Sequence, residues 1–111
     1  MGYSKYRNQK TVIDGIVFDS IREANRYHEL KILMRARVIK DLQLQVTFIL
    51  QDEYVFQGRK VRPITYVADF VYYDNEKKCT VVEDAKGMHT DVYKLKKKMF
   101  EKRYNMPITE V

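Results

Sequence analysis

Two aspartates and a lysine stand in segments whose other residues predict β-strands. Asp69 lies within the apolar segment 66–73, and Asp84 and Lys86 lie at the end of the segment 79–86. Aspartate is depleted in strands, and an ionised carboxylate among apolar neighbours is unfavourable unless a cation or hydrogen bonds compensate it. The chemistry open to such a pair of carboxylates is the binding of a hard divalent cation such as Mg²⁺, which prefers oxygen ligands.

The spacing of these residues predicts that they share one site. The polar segment 74–78 is typical of a turn between two antiparallel strands. In the simplest register Asp69 faces Asp84, which brings their Cβ atoms to about 4.5–5.5 Å. Strand alternation places Lys86 on the same face as Asp84, where an ammonium group could orient a water molecule or stabilise a phosphoryl transition state. The same alternation points Glu83 to the other face.

Turn residues and hydrophobic periodicity predict the elements in the first half of the chain. Asp14-Gly15 between two short apolar runs predicts an N-terminal β-hairpin. Ser20, with Glu23 three residues later, predicts a capped helix running to about Arg37. From 42 to 50 the alternation predicts a half-buried strand with the even-numbered residues on one face.

In the second half, a turn at 57–60 is expected to precede a strand over 64–73, and a further strand covers 79–86. Thr90 or Asp91 begins a helix that ends at 104–105, and residues 108–111 add a short strand. The predicted apolar side of that helix consists of Val92, Leu95, Met99 and Phe100. The order is hairpin, α, β, β, β, α, β, which predicts one mixed α/β domain over residues 1–111 with a central sheet flanked by helices.

Composition restricts the classes of function. The 111 residues include 21 Lys and Arg against 15 Asp and Glu, so the net charge is +6 and a polyanion is the first partner to consider. A single cysteine excludes a disulfide framework and Cys-rich zinc modules. The sequence has no phosphate-binding loop, so we expect no nucleotide cofactor. It has no long apolar run either, so we expect no membrane insertion and a cytoplasmic location.

Basic and aromatic residues near both ends are the candidates for contacts with DNA. Residues 1–9 are expected to form a mobile basic arm, and the last helix is rich in lysine. The candidates are Lys5, Arg7, Lys10, Tyr93, Lys94 and Lys97. An unordered arm and an ordinary solvated helix face are the alternatives.

Asp69, the run Asp84-Ala85-Lys86 and Glu23 on the first helix together resemble the PD-(D/E)XK nuclease signature. The resemblance implies a restriction-endonuclease-like αβββαβ core. It also implies that Asp69, Asp84 and Glu23 hold Mg²⁺ and that Lys86 positions or activates the attacking water. One position departs from the pattern, because an alanine rather than a proline precedes Asp69.

A wider resemblance covers nearly the whole chain. The segments Lys5-Tyr6-Arg7, Asp14-Gly15, Phe18-Asp19-Ser20, Asp41-Leu42-Gln43-Leu44-Gln45 and Val82-Glu83-Asp84-Ala85-Lys86-Gly87 are similar to short bacteriophage and prophage proteins. These proteins are classed as endonuclease-like and are akin to Holliday-junction resolvases. The resemblance implies a homodimeric, Mg²⁺-dependent endodeoxyribonuclease that cuts branched DNA in the host cytoplasm, with Mn²⁺ able to replace Mg²⁺.

Each assignment has an alternative. Glu23 is also the residue that a capping box after Ser20 requires. Asp69 and Asp84 could be solvent-facing acids at a strand edge, and Lys86 could be a surface lysine. At the level of function, the alternatives are a non-catalytic DNA-binding accessory protein and a nicking or restriction-like endonuclease that ignores DNA structure.

Overall fold

Eight strands and two helices make up the part of the chain that the computed structural model describes, residues 10–85 and 89–111. The strands are β1 (Thr11–Ile13), β2 (Ile16–Phe18), β3 (Ile39–Gln51), β4 (Tyr54–Phe56), β5 (Arg59–Val61), β6 (Ile64–Asp74), β7 (Cys79–Asp84) and β8 (Thr109–Glu110). The helices are α1 (Ile21–Arg35) and α2 (Asp91–Tyr104). The predicted arm at residues 1–9 and Lys86 lie outside the described residues.

A four-stranded mixed sheet in the order β3-β6-β7-β8 forms the centre of the fold. Its first three strands are antiparallel, whereas β8 runs parallel to β7. Parallel neighbours need a crossover connection, and α2 supplies it between β7 and β8. The predicted mixed α/β architecture with a central sheet flanked by helices is therefore confirmed. No helix in the described ranges is long and apolar enough to cross a bilayer.

Two hydrophobic cores lie on opposite faces of this sheet. One packs α1 against β6 through Phe70 and Tyr72, and the other packs α2 against β6 through Tyr66 and Ala68. Even-numbered residues of β6 thus change face between 68 and 70. Before this point in β6 the even-numbered residues pack beneath α2, and after it they pack beneath α1.

Strand β3 shows the same change of face. Leu42 and Leu44 pack into the core beneath α1, whereas Phe48 and Leu50 belong to the core beneath α2. The predicted half-buried strand is confirmed, since the even-numbered residues from 42 to 50 are more buried than their odd-numbered neighbours, but they pack into two different cores rather than one. The change from one core to the other falls near Gln45, which has a left-handed backbone (φ +53°).

Turn chemistry explains the segments that were predicted correctly. Asp14 and Gly15 both have positive φ (53° and 76°), as a two-residue hairpin turn requires, and β1 pairs with β2 as expected. At the turn after β6, the Asp74 carboxylate accepts the backbone N–H groups of Glu76 (2.8 Å) and Lys77 (2.9 Å). The Lys77 N–H is the main cause of the lowered pKa of Asp74. This turn fixes the pairing of β6 with β7.

The other differences concern boundaries and helix faces. Helix α1 ends two residues before the predicted Arg37, because that residue takes a left-handed conformation (φ 62°). On α2, Val92 and Leu95 are exposed although the spacing predicted them to be apolar contacts. The helix instead packs on the sheet through aromatic residues, with Tyr93 and Phe100 buried.

The predicted turn at 57–60 is longer than the one that the chain forms. Only Gln57 and Gly58 make the turn, with φ angles of 51° and 75°. Arg59 and Lys60 belong to β5, which pairs with β4 in a separate two-stranded sheet. The chain therefore carries a second hairpin between β3 and β6 that periodicity alone did not reveal.

Candidate active site

The three predicted acidic ligands come from three different elements. Glu23 lies in the first turn of α1, Asp69 in the middle of β6, and Asp84 at the end of β7. All three side chains are buried. Burial of a carboxylate is unfavourable without polar partners, so the contacts of each group decide what the cluster can do.

Glu23 combines a capping contact with a contact to the sheet. Its backbone N–H donates to Ser20 Oγ (3.1 Å), which closes the N-terminus of α1. Its side chain turns to the sheet, where Oε2 accepts a hydrogen bond from Gln45 Nε2 (2.9 Å). A carboxylate in this first turn is also favoured by the helix dipole. Glu23 can therefore take part in the helix cap and in the site at once, because the cap uses its backbone N–H and the site uses its carboxylate.

Gln45 links Glu23 to Asp69. The same Nε2 atom lies 3.4 Å from Asp69 Oδ1, so one amide group contacts two carboxylates from different elements. Gln45 was not predicted as a site residue, because alternation placed it on the outward face of β3, where it is indeed exposed. The signal that identifies it is the β3–β6 register: Leu44 faces Phe70 and Val46 faces Ala68, so Gln45 lies across from Asp69.

The backbone of Gln45 is strained. A non-glycine residue at φ +53° within a strand adopts the left-handed region, which costs about 1–2 kcal/mol for an L-residue. Such strain persists only where the surrounding structure imposes it, and it occurs preferentially at functional sites. In this conformation the Gln45 amide contacts both carboxylates.

This strain predicts an unusual order of stability at position 45. Both Gln45→Gly and Gln45→Ala remove the amide, but we expect the glycine variant to be more stable by about 1 kcal/mol, because only glycine adopts positive φ without cost. At Thr47, which has no such backbone conformation, Thr47→Ala should be more stable than Thr47→Gly. Urea unfolding of the four variants measures both differences. The same order at both positions would contradict strain at Gln45.

Asp69 also contacts the segment that carries Asp84. Its Oδ2 accepts the backbone N–H of Ala85 (2.7 Å), the residue after Asp84. The predicted register of the two strands is confirmed where they pair, since Val71 faces Val82 and Phe70 faces Glu83. The Asp69 carboxylate is therefore oriented by a peptide group on one side and by the Gln45 amide on the other.

Asp84 is held by a buried tyrosine. The Tyr66 hydroxyl donates to Asp84 Oδ2 at 2.6 Å. Burial raises the pKa of Tyr66 well above its usual value, and the hydrogen bond to Asp84 and the charge of that residue raise it further, with a smaller contribution from Asp69. Tyr66 is therefore a neutral donor at physiological pH, and its hydrogen bond fixes one oxygen of Asp84.

Glu83, the neighbour of Asp84, lies on the opposite face as predicted and has a different role. Its two carboxylate oxygens accept hydrogen bonds from Arg26 Nε (2.8 Å) and Nη2 (2.6 Å), and the Tyr72 hydroxyl donates to it as well. The Glu83 hydrogen bond is the main cause of the raised pKa of Arg26, while burial is the main cause of the raised pKa of Tyr72. This fully paired cluster joins α1 to the sheet.

Four of the six predicted DNA-contacting residues lie in the described ranges, and these four fall into two groups. Tyr93 is buried, and its hydroxyl donates to Glu110 Oε2 (2.7 Å), while Lys97 Nζ lies 3.1 Å from the same oxygen. These contacts, led by the Tyr93 hydrogen bond, lower the pKa of Glu110. Lys10 and Lys94 are exposed. Lys5 and Arg7 lie outside the described residues.

The chemistry of the donor set fits a hard cation. Glu23, Asp69 and Asp84 offer only oxygen atoms, which are the ligands that Mg²⁺ prefers. Within residues 10–85 and 89–111, no three His, Cys, Asp or Glu side chains stand close enough to form a ready-made metal site. Two of these carboxylates share the Gln45 amide, so a cation bound between them would replace those hydrogen bonds.

The fold and the site define a mixed α/β protein with three buried carboxylates, two of which share one amide group. A family model described as a protein of unknown function (DUF1064) matches residues 3–109, and the chain belongs to this family. Neither a curated protein nor a solved structure matches the chain significantly.

Proposed function

We propose that the protein is a Mg²⁺-dependent endodeoxyribonuclease of the PD-(D/E)XK type, with a restriction-endonuclease-like fold. It hydrolyses phosphodiester bonds in branched DNA such as Holliday junctions. The observation that carries the proposal is that Glu23 and Asp69 share the Gln45 amide, while Asp69 also accepts the backbone N–H of Ala85, the residue that follows Asp84. Buried acids that share a polar partner are unfavourable without a function that uses their charge.

Each residue of the cluster has a defined task in this reaction. Asp69, Asp84 and Glu23 would hold Mg²⁺, which when bound stabilises negative charge on the phosphoryl group and lowers the pKa of a water ligand. Tyr66 keeps the Asp84 carboxylate in place, and the Gln45 amide orients the other two carboxylates. Lys86, two residues beyond Asp84, orients the attacking water and offsets developing negative charge.

The charge of the protein supports DNA as the substrate. A net charge of +6 favours a polyanion, and lysines on α2 and in the N-terminal segment supply contacts to phosphates. The residues assigned to this surface are Lys5, Arg7, Lys10, Lys94 and Lys97, whereas the predicted contact of Tyr93 is withdrawn because that residue is buried in the core. A homodimer would present two symmetry-related sites to the two symmetry-related strands of a four-way junction. The bacterial host cytoplasm is the proposed location.

Cleavage of an end-labelled four-way junction tests the proposal directly. We expect the junction to be cut with Mg²⁺ or Mn²⁺, and not in EDTA, while a linear duplex of the same sequence stays largely intact. Lys86→Ala should bind the junction but cut it far more slowly. Binding without cutting in either metal would contradict the nuclease and favour the accessory protein. Equal cutting of the duplex would favour an endonuclease that ignores DNA structure.

A further inference from the structure

The hairpin formed by β4 and β5 carries exposed apolar side chains. Tyr54 is 47 % exposed, Val55 70 % and Phe56 58 %. Within the described residues, the two strands pair with each other and pack substantially against no other element. A lone two-stranded ribbon is marginally stable, so three consecutive exposed apolar residues on it are costly without a partner. The ribbon is therefore a candidate binding element.

The two faces of the ribbon differ in chemistry. In its register Phe56 faces Arg59 and Tyr54 faces Val61, so both aromatic rings share one face with a guanidinium group. Val55 faces Lys60 on the other side. Residues two apart on a strand are about 6.8 Å apart, which is about twice the 3.4 Å rise of stacked bases. The aromatic face can therefore accept a planar base against each ring.

The charges of the ribbon complement a polyanion. The acids at its base are already paired, Asp52 with Arg103 (3.3 Å) and Glu53 with Lys60 (3.5 Å). Across residues 10–85 and 89–111, neither Arg59 nor Arg62 has a carboxylate partner. Two unneutralised guanidinium groups thus flank the aromatic residues, and guanidinium is well suited to contact phosphates.

The ribbon also lies within reach of DNA bound at the carboxylates. It joins the ends of β3 and β6, the strands that carry Gln45 and Asp69. About nine residue steps separate Gln45 from Tyr54, which span at most about 32 Å, less than one turn of B-DNA. One nucleic acid can therefore contact both places.

We propose that the β4–β5 hairpin is a nucleic-acid-binding arm that stacks Tyr54 and Phe56 on unpaired bases, while Arg59 and Arg62 contact the adjacent phosphates. A second copy of this chain is a poorer occupant, because a twofold contact through the aromatic face would bring Arg59 toward its own copy. The inference rests on the nucleic-acid partner of the proposed function and is independent of cleavage.

Tryptophan fluorescence can show whether DNA or a second copy of the chain binds to this hairpin, because the chain contains no tryptophan of its own. Phe56→Trp places a single reporter on the aromatic face, and Ile32→Trp on the exposed side of α1 serves as the control. In EDTA, a forked DNA with single-stranded arms should quench the emission of the Phe56→Trp variant much more than a blunt duplex does, with little change in the control. A blue shift that grows with protein concentration without DNA would overturn the proposal in favour of self-association.

Alanine variants test which face binds. Phe56→Ala and Tyr54→Ala should each weaken binding of forked DNA roughly 5- to 150-fold, as expected for loss of one stacked base. Val55→Ala, on the other face of the same ribbon, should bind like the wild type. The proposal would be overturned if all three substitutions weakened DNA binding equally, or if none of them weakened it. These titrations need no metal, so they stay informative even if the junction is never cut.

Discussion

Asp84→Asn is expected to slow Mg²⁺-dependent cleavage of a four-way junction by about a thousandfold or more. The substitution removes a negative charge from the proposed ligand set, and the metal stabilises transition-state charge by several kcal/mol, each step of about 1.4 kcal/mol being a factor of ten. The asparagine oxygen can still accept the Tyr66 hydrogen bond, so the fold is retained. Single-turnover cleavage at saturating enzyme measures the chemical step.

A matched control distinguishes a site effect from a general loss of charge. Asp41 is an exposed acid in β3 with a left-handed backbone (φ 57°), which asparagine tolerates. Asp41→Asn should therefore cleave at the wild-type rate. If Asp84→Asn kept full activity, or if Asp41→Asn lost as much, the assignment of Asp84 as a metal ligand would be wrong.

Arg26→Met is expected to lower the free energy of unfolding by about 3–5 kcal/mol. Glu83 is completely buried, and Arg26 supplies both of its charge-assisted hydrogen bonds. Removal of one partner from a buried ion pair leaves an uncompensated charge, which is strongly destabilising. Methionine retains much of the aliphatic stem, so the loss reflects charge rather than packing. Urea unfolding followed by circular dichroism measures the change.

The double variant Arg26→Met/Glu83→Gln supplies the control for this effect. It removes both charges, and the Tyr72 hydroxyl can still donate to the glutamine oxygen. We expect it to recover most of the lost stability, because replacement of both partners of a buried pair is far less costly than removal of one. A single variant within about 1 kcal/mol of the wild type, or a double variant no better than the single one, would contradict this account.

The parts of the site that depend on local chemistry were predictable. The turn after β6 sets the register of β6 and β7, and alternation then separates Asp84 from Glu83. Ser20 marks the start of α1 and therefore the position of Glu23. Each of these inferences needs only a turn, a cap or a period of two, which are properties of a few neighbouring residues.

The contacts of Gln45 were not predictable in this way. Its amide reaches Glu23 and Asp69 only because the backbone is left-handed, and that conformation occurs where the sheet passes from the core under α1 to the core under α2. The same holds for α2, where the aromatic surface of the sheet selected Tyr93 and Phe100 over Val92 and Leu95. A periodic pattern cannot show which of several apolar residues a neighbouring element will cover.

The sequence by itself determined the order of the main elements, the pairing of β6 with β7, and the identities of the three acids. Only the tertiary structure decided that the Gln45 amide joins Glu23 to Asp69, that Tyr66 holds Asp84, and that the β4–β5 hairpin stands apart with its aromatic face exposed. The physical reason is that caps, turns and alternation act over a few residues. Contacts between distant segments depend instead on how two helices cover opposite faces of one sheet.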